Sequence, residues 1–335
     1  MANHETNRRE FLATTVTGAV AAGVGASQAA AAVGSSGMPM RPLGKTGEMV
    51  SLLCVGGHHI GRADLDEATS IRIMQEAIDE GATFMDNAWE YHNGRSEERM
   101  GKALQGRRDK AFLMTKHHGR DRRTAMKHLE DSLRRLRTDV IDLWQFHECV
   151  YENDPDRIFA RGGGIEAAEL AKKQGKVRYV GFTGHKSPFI HLKMLAYGYP
   201  FDAVQMPVNI LDGSFRSFAK WVLPVLVKRG IGVLAMKTRA SGSILSNNLA
   251  TPDECWRYVT ALPVSTIVSG MESLELLRDN LRMVRTLKPM TPDEMAAVRT
   301  RTHAVAMAGE NELFKTTNRF DGATGRAQQT ALGQG

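Results

Sequence analysis

Cysteine is scarce in this chain of 335 residues. Its three cysteines are widely spaced and form no Cys-x-x-Cys pair: Cys54, Cys149 and Cys255. Disulfide frameworks, iron–sulfur clusters and zinc ribbons need several cysteines at short, regular spacing, so the sequence argues against all three. A glycine-rich dinucleotide loop is also missing. The stretch GGHHIG at residues 56–61 does not fit Gly-x-Gly-x-x-Gly, and no charged residue follows at the distance expected for a ribose contact.

Charge is absent from a long stretch near the N-terminus. The segment NRREFLATT carries paired arginines, and residues 16–33 then contain no charged side chain. A charged start, an apolar middle and small residues at the end are typical of a secretory signal, and the paired arginines resemble a twin-arginine signal. We predict that residues 1–32 form a signal peptide that is removed after export.

This signal predicts the export machinery as a partner and the periplasm as the location of the protein, or the cytoplasm if the segment is not processed. The alternative is an uncleaved membrane anchor. The apolar run consists mainly of alanine, glycine and valine, without leucine or isoleucine. Because alanine and glycine are only weakly apolar, we expect no stable membrane span in the mature form.

The net charge of +7 comes from one region of the chain. Residues 102–137 contain twelve Lys or Arg against four Asp or Glu, an excess of eight. A basic strip can indicate nucleic-acid binding. Here the stretch RRTAMKHLEDSLRRLR alternates charge with apolar residues at helical spacing, which indicates a solvated outer helix face. We therefore expect no nucleic-acid partner.

Short apolar runs alternate with amphipathic stretches over most of the chain. We predict strands at 51–56, 82–86, 111–116, 140–147, 177–184, 201–206, 231–237 and 264–270. Helical patterns lie between them at 66–80, 95–105, 121–136, 164–174, 187–197, 215–229, 252–261 and 273–286. Eight such pairs predict an α/β fold, a single (β/α)₈ TIM barrel over residues 40–310. A hairpin at 41–51 would precede it, an extra helix at 291–308 would follow, and residues 315–335 would form a loose tail. A doubly wound open sheet is the alternative.

Polar residues end three successive predicted strands. Asp86, Lys116 and His147 follow one another at intervals of 30 and 31 residues, one βα unit each, and Tyr91 lies in the loop after the first. In a barrel these residues would meet at the C-terminal rim, where barrel active sites lie. A tyrosine hydroxyl near a lysine, a carboxylate beside the lysine and a histidine suit proton donation to a carbonyl oxygen.

The same residues resemble those of the aldo-keto reductase family. The stretch MDNAWEYHNGRSEERMGKAL matches its Asp-x-Ala-x-x-Tyr…Ser-Glu…Gly signature, and LMTK, SLRRLRTDVIDLWQFH, KVRYVGFTG and LRDNL match later motifs in order. The resemblance covers residues 40–290. It implies hydride transfer from a nicotinamide to a small carbonyl substrate, or the reverse reaction on an alcohol. Tyr91 would be the general acid, Lys116 and Asp86 would tune it, and His147 would orient the carbonyl.

The resemblance also implies a coenzyme, NADPH or NADH, but its contact positions depart from the family pattern. Where the family has Ser-Asn after strand five, this chain has Thr183-Gly184, followed by His185. The positions implied for coenzyme contact are Thr183, His185, Gln205, Met236, Lys237, Gly270, Asp279 and Asn280. Glu272 and Leu276 replace basic residues that would bind a 2′-phosphate, so we predict weakened NADPH preference and usable NADH.

Histidine is frequent at the predicted rim. Seven of the eleven histidines lie there: His58, His59, His92, His117, His118, His147 and His185. Histidine is the commonest metal ligand, so a metal-dependent barrel hydrolase is a rival interpretation. Because no His-x-His ends a strand, we predict no metal and assign His58, Trp89 and His117 to a substrate pocket. A nicotinamide-sensing barrel without catalysis is a further alternative.

Overall fold

The computed structural model describes residues 32–34 and 36–333. The predicted signal peptide lies outside these residues, apart from Ala32, and stays a prediction. Among the helices of the described part, none combines the length and apolarity needed to cross a bilayer.

Eleven strands occur in the described residues, and they form two sheets. A small antiparallel sheet contains β1 (Ala32–Val33), β2 (Pro39–Pro42) and β3 (Met49–Ser51). Eight parallel strands close into a barrel in the order β10-β11-β4-β5-β6-β7-β8-β9. Their bounds are β4 Leu53–Gly56, β5 Phe84–Asp86, β6 Phe112–His117, β7 Ile141–Phe146, β8 Val177–Thr183, β9 Ala203–Pro207, β10 Gly232–Met236 and β11 Thr266–Gly270.

Helices connect the barrel strands and form the outer layer. They are α1 Gly57–Ile60, α2 Glu67–Asp79, α3 Arg95–Ala103, α4 Arg122–Leu136, α5 Asp154–Phe159, α6 Gly164–Lys173, α7 Pro188–Ala196, α8 Phe218–Trp221, α9 Leu223–Arg229, α10 Ser243–Ser246, α11 Pro252–Thr260 and α12 Leu274–Thr286. After the barrel come α13 Pro292–Ala306, α14 Leu313–Thr316 and α15 Ala323–Ala331. The closed parallel barrel, the N-terminal hairpin and the extra C-terminal helix confirm the predicted fold, and the open sheet is excluded.

Local sequence signals explain where the helices begin. The Asp66 and Asp121 side chains accept from backbone N–H groups three residues further on, which caps α2 and α4. Thr251 and Thr291 each form a complete capping box with the glutamate three residues later. The helix predicted at 215–229 is instead two helices, because a proline in the first turn of α9 starts a new one.

Side chains on the barrel strands alternate between two hydrophobic cores. Residues that point inward include Phe84, Met114 and Leu143, and Leu43 from the N-terminal hairpin region joins them inside the barrel. Residues that point outward, such as Trp144, pack between the sheet and the helices. This period of two decides which residue at each strand end reaches the interior of the rim.

The C-terminal tail differs from the prediction of a loose segment. In the described residues up to 333, α14 and α15 pack against the barrel, and Lys315 is 1% exposed. Its Nζ donates to Asp212 Oδ1, Glu312 Oε2 and the Phe215 carbonyl, each at 2.8 Å. The tail has few apolar residues, so its composition indicated disorder, but a few buried polar anchors hold it in place.

We predict that Lys315→Met destabilises the fold by about 3–5 kcal/mol, because the substitution leaves two buried carboxylates without their cation. Urea unfolding would measure the change. Lys288→Met at an exposed position is the matched control and should change stability by about 0.5 kcal/mol or less. Equal stability of the two variants would contradict this account of the tail.

Candidate active site

The acid, lysine, histidine and tyrosine identified in the sequence lie together at the C-terminal rim of the barrel. Asp86 ends β5, Lys116 lies on β6, and His147 follows β7 directly. Lys116 Nζ contacts a carboxylate oxygen of Asp86, donates to the Asn87 carbonyl at 2.7 Å, and lies 3.3 Å from Tyr91 Oη. A buried ammonium therefore joins the carboxylate to the phenol.

Tyr91 is protonated near neutral pH in this arrangement. Burial raises the pKa of its hydroxyl well above the ordinary value, and the charges of Asp86, Glu148 and Glu90 raise it further. A nearby lysine cation by itself would lower this pKa, but the burial and the carboxylates outweigh it. The consequence is a phenol that keeps its proton until a reacting group takes it.

His147 lies against the edge of Tyr91. The two ring centroids are 5.5 Å apart and the planes are nearly perpendicular, at 77°. Burial lowers the pKa of His147 well below its ordinary value, and the cations Lys116 and Arg120 act in the same direction. The imidazole is therefore neutral and can donate one N–H to a carbonyl oxygen without bringing charge into the site.

Three further rim residues lie beside Tyr91 and His147, and none of them was predicted as a site residue: Glu90, His118 and Glu148. Glu90 Oε1 lies 2.8 Å from His118 Nε2 and 3.7 Å from His147 Nδ1. Glu148 adopts a left-handed backbone with φ of 47°, and burial raises the pKa of its carboxyl to about 7. Adjacency to Tyr91 and His147 in the sequence is the signal that could have identified the two glutamates.

The C-terminal tail covers this side of the site. Gly322 N–H donates to Glu148 Oε2 at 2.6 Å, and Thr324 donates to Glu90. A Cβ on Gly322 would lie only 2.3 Å from Glu90 Oε1, so glycine permits this close approach. Asp321 receives bonds from Lys186 Nζ at 2.5 Å and from a tyrosine hydroxyl, that of Tyr151, at 3.2 Å. The tail is thus a wall of the site.

Two of the three predicted pocket residues, His117 and Trp89, lie away from the site, whereas His58 lies near it. His58 is exposed at the rim, with its ring 5.3 Å from that of Tyr91. His117 is fully buried outside the barrel wall and stacks on Trp144 at 3.9 Å. It points outward because Lys116, its neighbour on the strand, points inward. Of the pair His117-His118, the second residue reaches the site.

Trp89 also faces away from the site. Its ring stacks on His128 of α4 at 3.6 Å, and Nε1 donates to Asp131 at 3.3 Å. Its predicted role in the substrate pocket is therefore corrected to packing of the loop after β5 against α4. The Trp89 ring packs in the outer layer of the barrel, where it stacks on the buried imidazole of His128.

Some predicted coenzyme positions lie at the rim beside the four candidate catalytic residues. Gln205 Oε1 accepts from Gln145 Nε2 at 3.1 Å, and Thr183 Oγ1 lies 3.9 Å from Met236 Sδ. His185 lies 3.6 Å from Asp321 of the tail, and burial lowers its pKa to about 4. His185 is therefore neutral and covered by the tail.

Further predicted coenzyme positions lie near the last two barrel strands. Gly270 lies directly under the His59 ring, where a Cβ would be 2.0 Å from Nδ1. Asn280 is 1% exposed, whereas Asp279 is exposed and pairs with Arg282 on the same helix. Arg239, which no sequence motif indicated, donates from its guanidinium to Asn280 Oδ1 at 3.4 Å.

Arg239 and Asn280 suit a nucleotide. Arg239 Nε and Asn280 Nδ2 are buried donors without a partner in the described part of the chain. Buried donors are normally satisfied, so this pair indicates an acceptor supplied by a ligand. Lys237 Nζ lies 4.8 Å from the Phe320 ring centroid and adds a cation on the same side of the rim. These residues fit the phosphates and polar edges of a dinucleotide.

Glu272, which was predicted to disfavour a 2′-phosphate, and Arg278, six residues further on, are both engaged in ion pairs. Glu272 accepts from Arg62 at 2.7 Å, and that arginine also pairs with Asp64. Arg278 is exposed and pairs with Glu76 of α2 at 2.6 Å, so it does not point toward the rim. The carboxylate of Glu272 is thus partly neutralised by Arg62.

Comparison with known proteins places this geometry in a family. The model of the Aldo/keto reductase family matches residues 52–257. The chain is 38% identical over 234 residues to the uncharacterized oxidoreductase YrpG of Bacillus subtilis strain 168, covering 60% of this chain and 66% of that protein. It is 32% identical over 173 residues to the aldo-keto reductase YhdN of the same organism, covering 48% of each.

A solved structure agrees. The holo form of the aldo-keto reductase AKR11C1 from Bacillus halodurans superposes with a TM-score of 0.67 at 27% identity, covering 79% of this chain and 96% of that one. The chain therefore belongs to the aldo-keto reductase family and is an NAD(P)-dependent oxidoreductase. The resemblance noted from the motifs is confirmed. The family assignment therefore favours an oxidoreductase over the alternative interpretation of a metal-dependent hydrolase.

We predict that coenzyme affinity falls as the pH rises from 7 to 9. Burial lowers the pKa of Lys237 to about 8, so this lysine is charged below that pH and neutral above it. Loss of its charge should weaken binding of the anionic phosphates severalfold. Fluorescence titration with NADPH at several pH values would measure this change.

Lys237→Arg is the matched variant for this pH dependence. A guanidinium stays protonated with a pKa of about 12.5 or higher, so its affinity should vary little across the same range. An identical pH dependence in the wild type and in Lys237→Arg would contradict the assignment.

Proposed function

We propose that this oxidoreductase reduces the carbonyl group of a small aldehyde or ketone, or oxidises the corresponding alcohol, with Tyr91 as the proton donor. The observation that supports this proposal is Lys116 Nζ, which contacts Asp86 and lies 3.3 Å from Tyr91 Oη. The neutral ring of His147 completes the group. NADPH or NADH, when bound, supplies the hydride for the carbonyl carbon.

The residues have separate tasks in this proposal. Tyr91 Oη transfers its proton to the carbonyl oxygen as that oxygen gains negative charge. Lys116, held by Asp86, stabilises the phenolate that Tyr91 leaves behind. His147 donates its N–H to the same carbonyl oxygen and thereby fixes the direction from which the proton arrives. The tail, through Gly322 and Thr324, limits access of water from one side.

Tyr91→Phe is expected to lower kcat for carbonyl reduction by about 10²–10⁴-fold, because the ring remains but the proton donor is lost. Coenzyme binding should be unchanged in the same variant. Tyr197→Phe is the control, because Tyr197 is an exposed residue directly after α7. This variant should keep wild-type turnover. Wild-type turnover in Tyr91→Phe would refute the assigned role.

The turnover assay, rather than coenzyme binding, separates catalysis from sensing. A nicotinamide-sensing barrel would bind coenzyme with the same affinity in the wild type and in Tyr91→Phe. It would reduce no carbonyl compound in either protein. A complete set of proton-transfer residues around Lys116 favours catalysis, since a sensor does not require the hydroxyl of Tyr91.

We further propose that NADH is usable and that NADPH preference is weak. Glu272 and Leu276 stand at positions where a 2′-phosphate would need cations, and Arg278 is occupied by Glu76. The ratio of kcat/KM for NADPH over NADH is expected to stay below about 100. Glu272→Lys should raise that ratio about tenfold, because it replaces a repelling charge with an attracting one. A wild-type ratio of kcat/KM for NADPH over NADH above about 100 would contradict the proposal.

A further inference from the structure

A cluster of three ligand-type side chains lies beside the candidate catalytic group. Glu90, His118 and His147 each contribute one possible ligand atom, and these atoms lie within 4.8 Å of one another. They come from the loop after β5, the residue after β6 and the residue after β7. Three consecutive strand ends therefore meet at this cluster.

The two imidazoles point nitrogen atoms toward the Glu90 carboxylate but form no well-aligned hydrogen bond with it. Nε2 of His118 and Nδ1 of His147 are buried without an aligned partner in the described part of the chain, and their side chains are 1% and 6% exposed. Buried polar atoms are normally satisfied by protein, by water or by an ion. Both nitrogens face the same oxygen, Oε1 of Glu90, at 2.8 and 3.7 Å.

We propose that Glu90, His118 and His147 form a binding site for one divalent transition-metal ion, with Zn²⁺ as the representative ion. Two imidazole nitrogens and one carboxylate oxygen are a common zinc donor set that leaves one coordination position open. A hard cation such as Mg²⁺ prefers oxygen ligands only, so the donor set selects against it.

The distances suit such an ion after small side-chain rotations. Zinc bonds of about 2.0–2.2 Å in tetrahedral geometry place ligand atoms about 3.4 Å apart. The observed separations of 2.8 and 3.7 Å lie on either side of that value. Glu90, with 14% of its side chain exposed, is the most open of the three residues.

The ion would use Nδ1 of His147 and would leave the other ring nitrogen for a carbonyl oxygen. The site is therefore compatible with the proposed role of His147 and does not depend on it. Binding of an ion would also tie Tyr91, through its neighbour Glu90, to the ends of β6 and β7.

Zinc binding to the metal-stripped full chain tests the proposal without coenzyme or substrate. Competition with a chromophoric chelator should give about one Zn²⁺ per chain, with a dissociation constant in the micromolar range or tighter, and no binding of Mg²⁺. Glu90→Gln and His118→Gln should each weaken zinc binding about tenfold or more.

His92→Asn is the matched control, because it removes a rim histidine outside the cluster at a left-handed position that asparagine adopts readily. It should keep wild-type zinc affinity. X-ray absorption of the zinc-loaded wild type should show two imidazole nitrogens and an oxygen at about 2.0–2.2 Å, which keeps the test valid if a variant does not fold. No zinc binding by the wild type, or loss of binding in His92→Asn alone, would overturn the proposal.

Discussion

The buried ammonium of Lys116 is the constraint on which the site depends. A charge removed from water costs several kcal/mol unless partners compensate for it. Asp86, the Asn87 carbonyl and Tyr91 Oη supply that compensation, and all three come from the end of β5 and the loop after it. Stabilising the cation therefore also fixes the path of this loop and the position of the phenol.

The C-terminal tail is held by the same principle, a buried cation compensated by its partners. Lys315 is held by two carboxylates inside the protein, and this anchor brings the N-terminus of α15 to the site. Backbone N–H groups at a helix N-terminus favour negative charge. Glu90 and Glu148 are the acceptors there, so a segment without an apolar core of its own becomes part of the pocket wall.

The sequence predicted the barrel and the four polar residues at its rim because both rest on regular spacing. Apolar runs that recur with intervening helices require a parallel sheet, and residues one βα unit apart must end neighbouring strands. The spacing does not report the direction of a side chain. His117 and Trp89 were therefore assigned to the pocket, whereas they pack outside the barrel wall.

The sequence by itself determined the fold class, the family motifs and the order of Asp86, Lys116 and His147 around the rim, since these follow from periodicity along the chain. Only the tertiary structure decided that Glu90 and His118 converge on His147 and that the tail closes over them. The physical reason is that these contacts join residues far apart in the chain: Gly322 and Glu148 are 174 positions apart, and Gln328 and His118 are 210. Their formation depends on burial and pairing of charge, which no local pattern encodes.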